Sequence, residues 1–300
     1  MEITFLGTAS AVHSKDRNHP SIALKAFGDV FLFDCGEGTQ RQLLFTNVSP
    51  MKISKIFITH YHGDHILGLP GLLQSMSLNG RETKLTVYGP RGLNRIKDAI
   101  YNLGYCSIDY PLEFIEIEPG IVEETEEYII QAQNVKHNIF SLAYSIEEKK
   151  KPRFLREKAI ELGVPVGPAF GRLHNGEEVE IDGKIIKPEQ VLGPARKGIK
   201  ITYSGDTRPC EEMIIFAKDS TLLIHESTFI QHEAQNAEDY GHSTAQDAAV
   251  IARESNSKKL ILTHISTRYG DEYAKIMLNE AKEIFENTEI AEDLREIKLR

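Results

Sequence analysis

Between Thr59 and His65 the chain reads Thr-His-Tyr-His-Gly-Asp-His, directly after the apolar run Ile56-Phe57-Ile58. Three histidines and an aspartate within six positions are hard to explain as packing, because buried polar groups need partners. Metal ligation explains them better. An extended strand end delivers His60 and His62 to one side, and Gly63 lets the chain turn so that Asp64 and His65 face back. Imidazole and carboxylate donors suit zinc. Four donors exceed what one open catalytic zinc takes, so the cluster points to two ions. A solvated polar loop is the bland alternative, and it would suit a lone histidine better than this pattern.

The rest of the sequence bounds what surrounds that cluster. With 300 residues, 41% of them apolar and spread along its length, the chain can bury a sizeable core. No run is long enough to span a bilayer, and Met1 to Ser10 lacks the basic and apolar segments of a secretory signal. Cys35, Cys106 and Cys210 are isolated and odd in number. They argue against a disulfide framework and a thiolate zinc cluster, and for a reducing, cytoplasmic setting. The net charge of -9 counts weakly against a nucleic-acid partner, whose phosphates are met by Lys and Arg.

Short β-branched runs alternate with amphipathic stretches throughout. Strands are expected at Glu2 to Leu6, Val30 to Asp34, Lys55 to Thr59, Leu85 to Tyr88, Ile201 to Tyr203, Thr221 to His225 and Leu260 to Thr263. Helices are expected at Gly71 to Ser77, Leu93 to Leu103, Glu211 to Lys218, Thr244 to Glu254 and Glu272 to Phe285. The pattern is α/β with mixed sheets covered by helices. Ser21 to Phe27 and Val30 to Asp34 read as a hairpin turning at Gly28-Asp29. From about 147 to 200 the rhythm fades into prolines and glycines, which reads as an insertion protruding from a single domain spanning 1–300.

His60-x-His62-x-Asp64-His65 resembles the signature loop of the metallo-β-lactamase superfamily. The resemblance implies an αβ/βα sandwich of two mixed sheets, with metals at its upper edge. Three further residues each follow a strand-like run: His137 after Tyr128 to Val135, Asp206 after Ile201 to Tyr203, and His264 after Lys259 to Thr263. By the resemblance His60, His62 and His137 hold one zinc, Asp64, His65 and His264 the other, and Asp206 bridges both. His13, His19, His174, His225 and His232 lack that context.

Within the superfamily the motifs resemble ribonuclease Z. Phe5-Leu6-Gly7-Thr8 leads to Ser14-Lys15-Asp16-Arg17-Asn18, similar to a family loop whose Lys15 and Arg17 would steady the RNA. A solvated basic turn is the simpler account of those two charges. Asp34-Cys35-Gly36-Glu37-Gly38-Thr39-Gln40 matches a family segment in which Asp34 would orient the ligands. His225-Glu226-Ser227-Thr228 and His242-Ser243-Thr244 resemble motifs whose Glu226 and His242 would deliver a proton to the leaving 3′-oxygen. Thr244 or Ser243 also suits a helix cap. In the insertion, Lys149, Lys150, Lys151, Arg153, Arg156 and Lys158 stand against one acidic residue, Glu157, and Gly167, Pro168 and Arg172 resemble the family's transfer-RNA-gripping arm.

The resemblance therefore implies a two-zinc endoribonuclease that removes the 3′ trailer from precursor tRNA. Asp64 would act as general base, and the products would be a 3′-hydroxyl and a 5′-phosphate. It also implies a homodimer, to which the isolated cysteines add a cytoplasmic setting and the lack of a bilayer-length run adds no membrane attachment. Two alternatives remain open: a hydrolase of the same fold acting on a small phosphodiester or ester, which would dispense with the basic arm, and a non-enzymatic RNA-binding or zinc-storing protein. Seven N/O donors without clustered cysteines disfavour a closed structural zinc site.

Overall fold

In the computed structural model, which describes residues 1–104 and 107–299, two seven-stranded sheets carry the architecture. Cys106 lies outside the described residues, while Cys35 and Cys210 are buried free thiols. Strands β1 (Glu2–Gly7), β2 (Ser21–Ala26), β3 (Asp29–Phe33), β4 (Ile53–Phe57), β5 (Leu85–Gly89) and β6 (Leu112–Glu116) lie in that order in the first sheet. The second begins with β7 (Gly120–Glu124), β8 (Tyr128–Val135) and β9 (Ser141–Glu148). A separate hairpin pairs β10 (Val179–Ile181) with β11 (Lys184–Ile186). The second sheet continues through β12 (Lys200–Tyr203), β13 (Leu222–Glu226), β14 (Leu260–Thr263) and β15 (Thr288–Ile290), while β16 (Glu296–Lys298) returns to edge β1. No described helix is long and apolar enough to cross a membrane.

Pairing follows the sequence pattern. β1, β2 and β3 are antiparallel, with a tight turn between β2 and β3, whereas β3 through β6 run parallel. Parallel strands covered on both faces carry near-continuous apolar runs, and β5 is buried at every position. The expected hairpin forms, but its turn lies one residue earlier than anticipated. Ala26 pairs with Asp29, leaving Phe27 and Gly28 as the loop, both at positive φ (55° and 83°). That geometry matches the right-handed twist of the flanking strands, and glycine meets its demand without strain.

Helices cover the outer faces. On the first sheet, Leu69, Leu72, Leu73 and Met76 of the helix Leu69–Leu78 enter a core with Ile56, Ile58 and Val87. On the second, the helices Ala245–Glu254 and Gly270–Lys282 bury Ala248, Ala252 and Met277 against Leu223 and Leu262. Thr244 caps the first of these, its hydroxyl accepting from the Asp247 amide, the structural role its sequence position suggested.

An aromatic layer lies between the sheets. Phe57 stacks on Phe33 (5.3 Å) and Tyr88 (5.0 Å) from its own sheet and meets Tyr144 of β9 at 5.3 Å. Phe33 also meets Tyr203 of β12 at 6.2 Å. The two sheets thus share one interior directly beneath the strand ends that carry the polar residues.

The chain divides into two units: 1–124, 129–146 and 199–300 form the first, and 125–128 with 147–198 the second. The second has its own small core of Ala159, Val164, Leu173, Val179, Ile186 and Val191, with Phe154 and Phe170 against it. We expect Phe57→Ala to destabilise the first unit by about 3–5 kcal/mol, as for buried aromatic truncations, read from the urea midpoint of unfolding.

Candidate metal centre

Every predicted metal donor lies at or just beyond the C-terminal end of a strand. His60 to His65 follow β4, His137 follows β8, Asp206 follows β12 and His264 follows β14. Asp34, immediately after β3, and Glu226, the last residue of β13, join the same edge. The strand ends of both sheets therefore converge on one polar cluster.

Three groups of potential donors emerge among the described residues: Glu226, His242 and His264 form one, and the other two share Asp206. His60, His62, His137 and Asp206 bring ligand atoms within 4.8 Å of one another, as do Asp64, His65, Asp206 and His264. Asp206 belongs to both: its Oδ2 lies 3.6 Å from His60 Nε2, 3.3 Å from His65 Nε2 and 3.4 Å from His264 Nε2. Asp64 Oδ2 stands 3.4 Å from the Nε2 atoms of both His65 and His264. These partitions coincide with those implied by the family resemblance.

Four of the five donor histidines are held in the tautomer a metal requires. Thr59 Oγ1 lies 2.9 Å from His60 Nδ1 and donates to Asp34, so it accepts the His60 Nδ1–H. His65 Nδ1–H donates to Asp34 Oδ2 at 2.8 Å, and His137 Nδ1–H to the Gly241 carbonyl at 2.6 Å. Thr228 Oγ1 donates to Glu226 Oε2 at 2.9 Å and accepts the Nδ1–H of His264 at 2.8 Å. Each Nε2 lone pair then faces inward, the arrangement such outer partners enforce at metal sites. Asp34, Thr59 and Thr228 were all legible as parts of motifs, but the hydrogen bonds by which Thr59 and Thr228 orient His60 and His264 were not foreseen.

Two buried atoms in this cluster, His65 Nε2 and Asp206 Oδ1, have no hydrogen-bond partner. Unsatisfied buried polar atoms are costly, and the His60 and His137 Nε2 lone pairs converge on His62 Nδ1 at 3.1 and 3.2 Å. A cation at each of the two groups that share Asp206 would satisfy all of them, so the residues present fit metal ions. The electrostatics agree. Burial holds His60 well below its ordinary pKa, in the neutral form that binds metal. Burial also opposes charge on His65, but Asp206, Asp34 and Asp64 outweigh it and raise the pKa. Three carboxylates around one imidazole make a field that stabilises positive charge.

Glu226 and His242 form a pair beside the donors. Glu226 Oε1 lies 2.9 Å from His242 Nδ1, and its carboxylate also accepts from the Thr207 and Thr228 amides. Burial works against the charged forms, but their mutual attraction prevails. Glu226 is lowered, and His242 is pushed up to about 9. The surrounding cavity, about 430 Å³, is lined by His62, Asp64, Asp206, His242 and His264, with Phe229 and Tyr240 at one side.

One donor and the carboxylate that orients the donors carry backbone strain. Asp34 and His264 have φ of 56° and 59°, a left-handed conformation that non-glycine residues adopt at a cost. Nearby, a Cβ on Gly68 would stand 2.0 Å from the Gly36 carbonyl oxygen. That close approach lets Gly68 N donate to Cys35 O, while Cys35 N donates to His65 O. The Asp34 loop is thereby fastened to the His65 turn.

The predicted RNA contacts have varied surroundings. Lys15 is exposed, with Asp16 at 3.8 Å. Arg17 Nη1 donates to Thr8 Oγ1 and the Ala291 carbonyl, both at 2.7 Å, so it braces the N-terminal loop. In the second unit Lys149, Lys151, Arg153 and Arg156 are exposed. Lys150 is half-buried and pairs with Glu148 at 3.3 Å, and Lys151 donates to Asn175. Gly167 precedes the short helix Pro168–His174, in which Arg172 pairs with Glu177 at 2.9 Å.

Comparison with known proteins yields consistent matches. A family model described as "Anti-Pycsar protein Apyc1" matches residues 1–99. A protein named Ribonuclease Z from Methanothermobacter thermautotrophicus is 52% identical over 300 residues, covering 100% of this chain and 97% of its own length. The crystal structure of human tRNase Z, short form, superposes with a TM-score of 0.73 at 28% identity, covering 100% of both chains. A metallo-beta-lactamase fold protein from Bacillus subtilis gives 0.70 at 20% identity, with coverage of 99% and 98%.

Because Asp34 holds His65 and, through Thr59, His60, we expect Asp34→Asn to weaken metal binding by roughly 10–100-fold. Competition against a chromogenic chelator measures this, with circular dichroism confirming the fold.

Proposed function

Since the chain belongs to the ribonuclease Z family, we infer that it is a metal-dependent endoribonuclease that removes the 3′ trailer from precursor tRNA. The observation that carries the mechanism is the Glu226–His242 pair at 2.9 Å, with His242 Nδ1 3.9 Å from Asp206 Oδ2. Cleavage that leaves a 3′-hydroxyl expels an alkoxide, a poor leaving group that needs a proton in the transition state. Hydrolysis of a more acidic leaving group has less need of such an acid.

The metal is zinc, two ions per chain, in this reading. His60, His62 and His137 would hold one, and Asp64, His65 and His264 the other, with Asp206 available to both. Bound zinc supplies Lewis acidity, activating a water and neutralising charge on the scissile phosphate. Asp64, which lines the cavity, accepts the water's proton as general base. His242 gives its proton to the departing 3′-oxygen, and Glu226 keeps that imidazole oriented and charged. The products are a tRNA with a free 3′-hydroxyl and a trailer with a 5′-phosphate.

Charge distribution supports an RNA-gripping role for the arm at 147–200. Residues 147–198 hold eleven Lys and Arg against nine Asp and Glu, in a chain of net charge -9. Lys149, Lys150, Lys151, Arg153, Arg156, Gly167, Pro168 and Arg172 would grip the tRNA body there, and Lys15 and Arg17 would steady the 3′ portion of the RNA. Phosphate contacts of this kind dominate affinity and fade with salt. We also read the protein as a cytoplasmic homodimer. Its isolated cysteines suit a reducing compartment, and a groove lined by Leu44, Met51, Leu67, Leu72 and Met76 offers an apolar face for the second copy. Leu44 and Leu67 there are 78% and 62% exposed.

Incubation with a precursor tRNA bearing a 3′ trailer should give one cut beside the acceptor stem, abolished by chelator and restored by zinc. If only a small phosphodiester is cut, the RNA reading fails. Asp64→Ala should reduce cleavage to the uncatalysed level. Replacing Lys149, Lys150 and Lys151 by Ala should raise KM for precursor tRNA about tenfold or more and flatten its salt dependence, while small-phosphodiester turnover stays within twofold. Equal loss on both substrates would remove the arm from RNA binding.

A further inference from the structure

Tyr240 lines the metal cavity yet leaves 56% of its surface exposed. Its ring runs nearly parallel to that of Phe229, with 14° between the planes and 6.4 Å between the centroids. Phe229 is itself only 4% exposed and rests 6.2 Å from the His242 ring. A buried aromatic thus backs an open one, and the pair leads directly to the proposed proton donor.

The position of Tyr240 is fixed from several sides. It ends the helix Ala234–Tyr240, which closes at Gly241 with φ of 80°. A Cβ at Gly241 would lie 3.0 Å from both His137 Nδ1 and the Asn138 side chain. The His242 amide donates to Ala237 O at 2.8 Å, and Gly241 O accepts from His137. Arg208 adds a clamp, donating through Nε to Glu238 O at 2.9 Å and through Nη2 to Asn138 Oδ1 at 2.8 Å. Tyr240 therefore holds a set place relative to both a metal donor and His242.

We propose that Tyr240 is a stacking platform for the nucleobase immediately 5′ of the scissile phosphate. This rests on the ribonuclease reading above. The side of the cut is taken from the role proposed above: His242 would give its proton to the 3′-oxygen of that nucleotide, and Phe229 joins the His242 ring (6.2 Å) to the Tyr240 ring. Stacking on an aromatic face is strong and tolerant of sequence, since every base has a π-face. A platform of this kind positions the end of many different tRNAs without selecting among their bases.

The test uses the zinc-loaded full chain, an intact precursor tRNA, and the same RNA made abasic at that nucleotide. On intact RNA, Tyr240→Ala should raise KM about tenfold, within the range of losses of one base–aromatic stack, with kcat within twofold. Tyr240→Phe should behave as the parent. Tyr240→Leu, which keeps an apolar contact for Phe229 without a π-face, should behave as Tyr240→Ala and guards against a folding defect. The abasic RNA should show the same penalty with the parent and no further penalty with Tyr240→Ala. The platform is overturned by a parental KM in Tyr240→Ala, by penalties that multiply on abasic RNA, or by loss in Tyr240→Phe. If the parent itself leaves intact RNA uncut, the ribonuclease reading fails, a result distinct from any effect of Tyr240.

Discussion

The buried carboxylate of Asp34 is the point on which the two halves of the sandwich and the metal centre meet. It is fully buried and accepts from the Thr59 amide at 2.8 Å, from the Thr59 hydroxyl, from His65 Nδ1 at 2.8 Å and from the Tyr203 hydroxyl at 2.9 Å. Thr59 belongs to the ligand loop of the first sheet, and Tyr203 to β12 of the second. A buried charge is tolerable only when it is this fully hydrogen-bonded. Burial and the nearby Asp34 push Tyr203 well above its ordinary pKa, so it remains a donor.

The centre is built against its own stability. Asp34 and His264 sit in left-handed backbone, and the His65 imidazole and the Asp206 carboxylate are removed from water with atoms left unpartnered. Such strain persists where the surroundings over-determine it. Here they do so through the aromatic layer of Phe33, Phe57, Tyr88, Tyr144 and Tyr203, and through the close approach of Gly36 and Gly68. Metal binding returns free energy to the folded state by mass action, so the same residues couple folding to catalysis.

Specificity and chemistry are assigned to different parts of the chain. The donors, the Glu226–His242 pair and Tyr240 belong to the first unit, whereas the basic run beginning at Lys149 belongs to the second, with its own core around Leu173 and Val191. Residues 147–198 of the second unit carry a small net positive charge in a chain of net charge -9, while three carboxylates surround His65 in the first.

Spacing alone was enough to mark the ligand loop, since His60, His62, Asp64 and His65 are local and their pattern has no packing rationale. The β-branched runs located the strands that place His137, Asp206 and His264 at strand ends, with errors of a residue or two, such as the turn at Phe27-Gly28. Pairing of Glu226 with His242, sixteen residues apart, was implied only by family resemblance, and its hydrogen bond exists because β13 and the Gly241 turn meet at one sheet edge. The hydrogen bonds of Thr59, the Phe229–Tyr240 stack and the Arg208 clamp had no periodic or compositional signal. Their roles depend on distances between segments remote in sequence, which local propensity does not encode and only the packing of two sheets across a shared aromatic layer decides.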